Sequence, residues 1–314
     1  MCFANAVLQA LVHCAPFAAL VVRLGAGAGA GQRPVGGLLG ATGAFVREFM
    51  EEKQGGKEAN VNANGKEGNG KGKGRAERER EREEEEEERE AFVPTGVYDA
   101  LKGTKRFDHM RGGHQEDAEE FLGFFLDTLE EELLALPAPT VVEAEEPVEA
   151  QDGWLEVGRK NRAVVTRTIK AAESPISRIF GGKFRSTLRA AGQKDSVIVE
   201  DWRALRLDIQ RDAIHTIQDA LAFIAHPQAV QMGTVTASQQ ILIAALPPVL
   251  VLHVKRFYYD ATAGVVKLAK RVAFGPELEI GSDVLAPTAT VRKPVRYKLF
   301  AGASLVPFQL PQEC

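Results

Sequence analysis

The stretch CFANAVLQALVHCAPF, residues 2–17, decides how this chain is read. Phe3, Ala6, Val7, Ala10, Leu11 and Cys14 recur at helical spacing, so residues 3–14 are predicted to form a helix with one apolar face. Pro16 follows, where that helix cannot easily continue. Cys2 sits just ahead of the first turn. A cysteine in such a place meets unpaired backbone N–H groups and the positive end of the helix dipole, which favour the nucleophilic thiolate. Position alone is a weak signal, because a cysteine beside an initiator Met is usually only a terminal residue. Cys14 falls on the apolar face and reads as a small buried hydrophobe.

Working outward, residues 24–39 are Gly-rich and predicted as loop, and residues 41–50 (ATGAFVREFM) as a short second helix. Residues 51–91 differ in kind. They are polar and Gly-rich at first, then almost pure Arg and Glu from Arg75 to Glu90. Such composition buries too little apolar surface to offset its ordering entropy, so a disordered surface insertion is expected. QEDAEEFLGFFLDTLEEELLAL, residues 115–136, is the clearest helix. It carries an apolar stripe from Phe121 to Leu136, with acids at its start where the dipole favours them. Residues 137–153 form an acidic, Pro-containing linker.

The remainder reads mostly as strand. SPISRIFGGKFRSTL (174–188) suggests a turn into a hairpin, and VIVEDWRALRLDI (197–209) a strand. TIQDALAFIA (216–225) reads as a helix. QQILIAALPPVLVLHVKRFYYD (239–260) gives two strand-like runs split by Pro247 and Pro248. In the second run Val249, Val251, His253 and Lys255 alternate with Leu250, Leu252 and Val254. More strand is expected near 265–274 and 295–300. Helices first and strands later make the class α+β, with a helical lobe over 1–136 and a β-rich lobe over 154–314.

Composition bounds the function. The chain has 314 residues, 45% of them hydrophobic, and a net charge of −4. A sizeable core is affordable, and the strongly basic face of a nucleic-acid binder is not indicated. Three dispersed cysteines, Cys2, Cys14 and Cys314, make a poor disulfide framework and point to a reducing compartment. No CxxC pair is present, so a zinc site of cysteine pairs is not expected, nor is a cofactor or other metal. Residues 3–22 lack a basic start and are interrupted by Gln9, His13 and Pro16, unlike a signal peptide, and no run reaches the length of a membrane span. The expectation is a soluble protein. A helical pattern that starts at residue 3 without a lead-in is expected of a piece of a longer protein or of a gene model that lacks its first exon.

An imidazole is the next requirement for a thiol hydrolase. His13 lies eleven residues beyond Cys2, about 16 Å along the same helix, and cannot be its partner. His109 and His114 flank Gly112 and Gly113 ahead of the long helix, and His253 lies in an apolar strand where packing in the sheet is the plainer expectation. None is singled out as a base.

Three segments together resemble the ubiquitin-specific cysteine proteases. CFANAVLQALVHCAPF is similar to the family's cysteine box, QEDAEEFL (115–122) to its Gln-x-Asp-Ala-x-Glu-Phe-Leu element, and LPPVLVLHVKRF (246–257) to its signature strand. SPISRIFGGKFRSTLR and DGWLEVGRKNR resemble the subgroup of ubiquitin carboxyl-terminal hydrolase 10 and the fungal Ubp3-like enzymes. The resemblance covers about residues 1–50 and 91–300 and leaves out the charged insertion.

The resemblance implies a papain-like α+β fold with a helical thumb lobe and a β-rich palm and fingers. Within 1–314 the catalytic domain would be incomplete at both ends and truncated C-terminally. It implies a deubiquitinase that cleaves after ubiquitin's terminal glycine, with Cys2 as nucleophile and Asp117 and Gln115 on the substrate side. Asp117 would take the basic tail of ubiquitin through charge-assisted bonds, although a helix-end acid that merely complements the dipole reads the same way. Ubiquitin, ubiquitinated proteins and a regulatory adaptor are the implied partners, with no nucleic acid and no membrane. The implied location is the cytoplasm, with the nucleus second. In the family an oxyanion-stabilising Asn or Gln precedes the cysteine, and a Gly-Gly-His-Tyr element follows the strand that here holds YKLF (297–300). Neither is found here, so hydrolysis is expected to be impaired. A ubiquitin-binding protein that has lost the chemistry is the alternative. An Arg/Glu-rich interaction protein is a third reading, supported by the insertion alone.

Overall fold

The computed structural model describes residues 2–25, 36–63, 93–112, 117–136, 154–158, 162–168, 173–233, 235–262, 264–289 and 294–304; within these, side chains are described except at 52–63, 109–112, 154–158, 162–168 and 232. The chain divides into two compact units, Met1–Glu116 and Asp117–Cys314.

The first unit is helical. Helix α1 (Cys2–Val12) buries Phe3, Val7 and Leu11 of the predicted face together with Ala4, Leu8 and Val12, while Ala6 and Ala10 stay half-buried. Helix α2 (Ala15–Gly25) starts three residues later, bent 92° from α1. Pro16 ends the first helix and opens the second, since a first-turn residue needs no N–H. Helix α3 (Gly37–Ala63) begins inside the stretch expected as loop and continues into the segment expected to be disordered. Glu51, Glu52, Lys53 and Gln54 are good helix formers, and extending an existing helix carries no new nucleation cost. The rest of the insertion, from 64, lies outside the described residues, as does the 137–153 linker.

α2 and α3 approach closely at two glycines. A Cβ on Gly43 would lie 2.5 Å from the Val21 carbonyl oxygen and 3.0 Å from the Gly25 Cα. Nearby, the buried Thr42 hydroxyl donates to the Leu38 carbonyl at 2.7 Å. Helix α4 (Thr95–Lys102) buries Val97 and Leu101, and its Tyr98 hydroxyl donates to the Asn5 side chain of α1. A 3₁₀ segment, Lys105–Gly112, completes the unit. Among the described residues no single helix is long and apolar enough to cross a membrane.

The second unit opens with helix α5 (Ala118–Ala135), which buries Phe121, Phe125, Leu126, Leu129 and Leu133. Sequence grouped this helix with the N-terminal ones, but it divides with the second unit. Arg203 pairs with Asp127 and Glu130 on α5, Arg206 pairs with Glu119, and the Ser174 hydroxyl donates to Glu130. These tie α5 to the strand-rich part.

Helix α6 (Pro175–Phe180) has a capping box: Ser174 accepts from the Ser177 amide, and Ser177 accepts from the Ser174 amide. That turns the expected turn at SPIS into a short helix. A six-stranded sheet follows, in the order β1 (Trp154–Gly158), β2 (Arg162–Thr168), β4 (Ser196–Trp202), β3 (Gly182–Arg189), β7 (Val235–Ala245), β6 (Gln228–Met232). Its pairs are antiparallel except β2 with β4. Gly182 is needed where β3 passes Trp202, because a Cβ there would meet the indole at 2.3 Å.

The strand expected over 197–209 breaks at Arg203. Its second half, β5 (Ala204–Asp208), pairs in parallel with β8 (Val251–Lys255), Arg206 opposite His253. Two antiparallel pairs complete the unit: β9 (Phe257–Asp260) with β10 (Gly264–Lys267), and β11 (Glu277–Ile280) with β12 (Val295–Lys298). Helix α7 (Ile217–Ala225) is capped by Thr216 and adds Ile217, Ala220 and Leu221 to a core with Leu205, Leu207, Ile243 and Ile280.

Candidate functional site

Cys2 is the first residue of α1, exposed, with a free thiol. The helix behind it is held by burial of Phe3, Ala4 and Val7 on one face and by the Tyr98–Asn5 bond on another. Its first turn contains no acid, so no side chain there opposes the positive helix end beside the thiol. Cys14 is 2% exposed, and burial pushes its thiol up in pKa, which leaves it a packing residue as expected.

His13 follows α1 at its far end, its ring edge-on to Phe49 with centroids 5.7 Å apart. Gln115 and His114 lie outside the described residues, as does the side chain of His109.

In the second unit Asp117 is the N-cap of α5. One carboxylate oxygen accepts from the Glu119 amide at 2.8 Å, and the side chain stays 48% exposed. One oxygen, Oδ1, caps the helix, and the other, Oδ2, lies beside His253. Within reach stand two residues that sequence reading did not enlist. Glu119, 18% exposed, takes the Arg206 guanidinium at 3.2 Å. His253, 23% exposed, places Nε2 at 3.9 Å from Asp117 Oδ2 and Nδ1 at 3.6 Å from Glu119 Oε2.

His253 thus does not pack among the apolar residues of its strand. Leu250, Leu252 and Val254 pack on the core, and the alternation turns His253 to the opposite face. That alternation is printed in the sequence, but the helix N-terminus it faces is a tertiary fact. Cys2 and Asp117 belong to different units, and each is placed within its own. The second unit also holds a cleft of about 1020 Å³ whose lining includes Glu119, Arg203, Arg206, Trp202 and Phe223. Among the described residues no three His, Cys, Asp or Glu side chains converge as metal ligands.

Comparison with known proteins bears on what these features do. The family model for ubiquitin carboxyl-terminal hydrolases matches residues 1–304. The chain is 33% identical over 317 residues to a probable ubiquitin carboxyl-terminal hydrolase 3 of Schizosaccharomyces pombe, covering 92% of this chain and 56% of that protein. It is 38% identical over 239 residues to ubiquitin carboxyl-terminal hydrolase 10 of Gallus gallus, covering 68% of this chain and 30% of the relative. The chain therefore spans about half the length of the first of these relatives and less of the second. Among solved structures, the SAGA deubiquitinating module Ubp8/Sgf11/Sus1/Sgf73 bound to ubiquitin aldehyde matches with a TM-score of 0.59 at 17% identity, over 95% of this chain and 55% of that one. That likeness shows a shared α+β, papain-like fold.

Proposed function

Because this chain belongs to the ubiquitin carboxyl-terminal hydrolase family of cysteine peptidases, we propose that it carries the nucleophile and the tail-recognition carboxylate of a deubiquitinase. The observation that carries this reading is Cys2, an exposed free thiol at the head of a buried helix whose first turn holds no acid. The Cys2 thiolate attacks the carbonyl of ubiquitin's last glycine. The bond to the leaving amine breaks as that amine gains a proton, leaving a thioester. Water then hydrolyses the thioester, releasing ubiquitin's carboxylate and the thiol. Asp117, half exposed at the start of α5, accepts charge-assisted hydrogen bonds from the basic tail that delivers the glycine.

Hydrolysis by these 314 residues alone is proposed to be impaired. In the first unit, His13 is the one histidine whose side chain is described, and it stands at the other end of α1 against Phe49. In the second, His253 faces two carboxylates, His226 contacts the Pro227 carbonyl through Nδ1, and His215 lies exposed just ahead of α7. A missing general base typically costs about 10²–10⁴ in rate. The same observation favours a second reading, a ubiquitin-binding protein without hydrolysis. The proposal extends to ubiquitinated proteins and a regulatory adaptor as partners, since one of the matching solved structures is a multi-subunit module bound to ubiquitin aldehyde. A cytoplasmic or nuclear setting is part of it, motivated by dispersed cysteines.

The test uses ubiquitin bearing a thiol-reactive group at its C-terminus. One adduct is expected, mapping to Cys2 by peptide mass spectrometry, lost in Cys2→Ser and kept in Cys14→Ser. Turnover of a fluorogenic ubiquitin substrate is expected roughly a hundredfold or more below that of a complete family member. An adduct on Cys14 overturns the assignment of Cys2, and full turnover overturns the impairment. Ubiquitin binding with no adduct supports the second reading.

A further inference from the structure

We infer that His253 is a positioning residue for Asp117: its imidazole holds the second carboxylate oxygen, Oδ2, in the orientation that a basic substrate tail requires. The inference rests on the reading that Asp117 receives that tail.

Three observations lead to it. First, Asp117 is fixed on one side only. Its Oδ1 is bound to the Glu119 amide at 2.8 Å, and its Oδ2 has His253 Nε2 at 3.9 Å. Second, His253 Nδ1 is buried without a hydrogen-bond partner, a state rare enough in folded proteins to call for an explanation. Its neighbour at 3.6 Å is Glu119 Oε2, so each ring nitrogen faces an oxygen that can only accept. Third, the ring is aimed by paired backbone. Parallel β5 and β8 set Arg206 opposite His253, and Arg206 holds Glu119 through Nε and both Nη2 contacts at 3.2–3.4 Å. His253 is therefore caged by Arg206-bound Glu119 on one nitrogen and by Asp117 on the other.

The distances of 3.6 and 3.9 Å are in ion-pair range and longer than hydrogen bonds. An apo carboxylate held this loosely is in place to tighten when a guanidinium docks on its outer lone pairs. Asp117 has the acceptor sites to serve an amide, an imidazole and an arginine at once. Without the ring, the carboxylate keeps its cap bond but loses the restraint on its second oxygen, and part of the binding energy goes into ordering it.

The experiment compares affinities of the 314-residue chain for ubiquitin and for ubiquitin lacking its basic tail, by isothermal titration or fluorescence anisotropy. His253→Leu, which keeps bulk without a donor, is expected to weaken binding of intact ubiquitin roughly 3- to 10-fold. Binding of the tail-less form should not change. His253→Gln restores a donor at the Nε2 position, toward Asp117, and should return affinity to within about twofold of the parent. In an Asp117→Ala background His253→Leu should add nothing.

Equal loss in the Leu and Gln variants, or equal loss on tail-less ubiquitin, overturns the positioning role and leaves His253 a packing residue. If Asp117→Ala abolishes tail dependence while His253→Leu does not, only the His253 inference falls. If Asp117→Ala leaves tail dependence intact, the reading of Asp117 falls and takes the inference with it. Should the Leu variant melt early, the Gln variant and the tail-less ligand still decide.

Discussion

Tyr297 shows how one side chain secures an edge of the second unit. Its hydroxyl donates to the Pro247 carbonyl at 2.6 Å, linking β12 to the Pro247–Pro248 turn, and burial lifts its pKa to about 12. An unfolded tyrosine titrates near about 10. The folded state therefore holds the phenol proton more tightly. Its contribution is complete below pH about 10 and is lost as pH rises toward about 12. Tyr297→Phe is expected to cost about 1 kcal/mol at pH 7 and to flatten the loss of stability between pH 10 and 12, measured by urea unfolding at both ends. At this scale the sequence was legible where chemistry is local. The places of Cys2 ahead of an apolar helix and of Asp117 at the start of the most sharply patterned one are visible as spacings, while the roles proposed for them come from the resemblance. His253 was not, because its partners lie more than a hundred residues away in the chain.

Elements were legible where a cap or a period marks them. Thr216 accepts from the Asp219 amide at 3.0 Å, and Asp219 accepts from the Thr216 amide at 2.8 Å and the His215 amide at 2.9 Å. This is a capping box that can be read straight from T-x-x-D. Thr216→Ala is expected to lower stability by about 1 kcal/mol in urea titrations at pH 7. The His215 amide, then the Thr216 hydroxyl and amide, hold Asp219 below the ordinary carboxylate range. A lowered folded pKa gives stability that is present above the unfolded pKa and lost as pH falls through the folded one. Asp219→Asn should therefore unfold less steeply than the parent as pH drops below about 4. Pairing was less legible than existence. Nothing in 197–209 announces that the strand breaks at Arg203 and serves two sheets, because both halves satisfy the same β propensity and only the ion pairs to α5 separate them. The extension of α3 past Glu51 was hidden for the converse reason: composition speaks for the isolated segment, not for one that continues an existing helix.

For the whole molecule, two compact units predict unfolding that is not a single all-or-none step. Both tryptophans, Trp154 and Trp202, belong to the second unit, whereas α1, α2, α3 and α4 belong to the first. Tryptophan emission and far-ultraviolet circular dichroism followed through one urea titration are expected to give midpoints that do not coincide. Superimposable curves would mean that the units unfold as one. The α+β class was legible because helical patterns come first and strand patterns later, and the family because three motifs occur in order along the chain. The division at Glu116 was not, because α5 reads as one more helix until its acids meet Arg203, at the break between β4 and β5, and Arg206 of β5.

The side-by-side alignment of Ala204–Asp208 with Val251–Lys255 has a consequence for how errors are rejected. Sliding one strand by a single residue would thrust an imidazole among Leu205, Leu207 and Ile280 and present a leucine or valine to Asp117 and Glu119. The mispaired form would bury a polar ring without partners and leave two acids facing hydrocarbon. Oil on one side and charge on the other thus act as a ratchet, so a chain that folds this strand pair at all has already turned His253 toward Asp117 and Glu119.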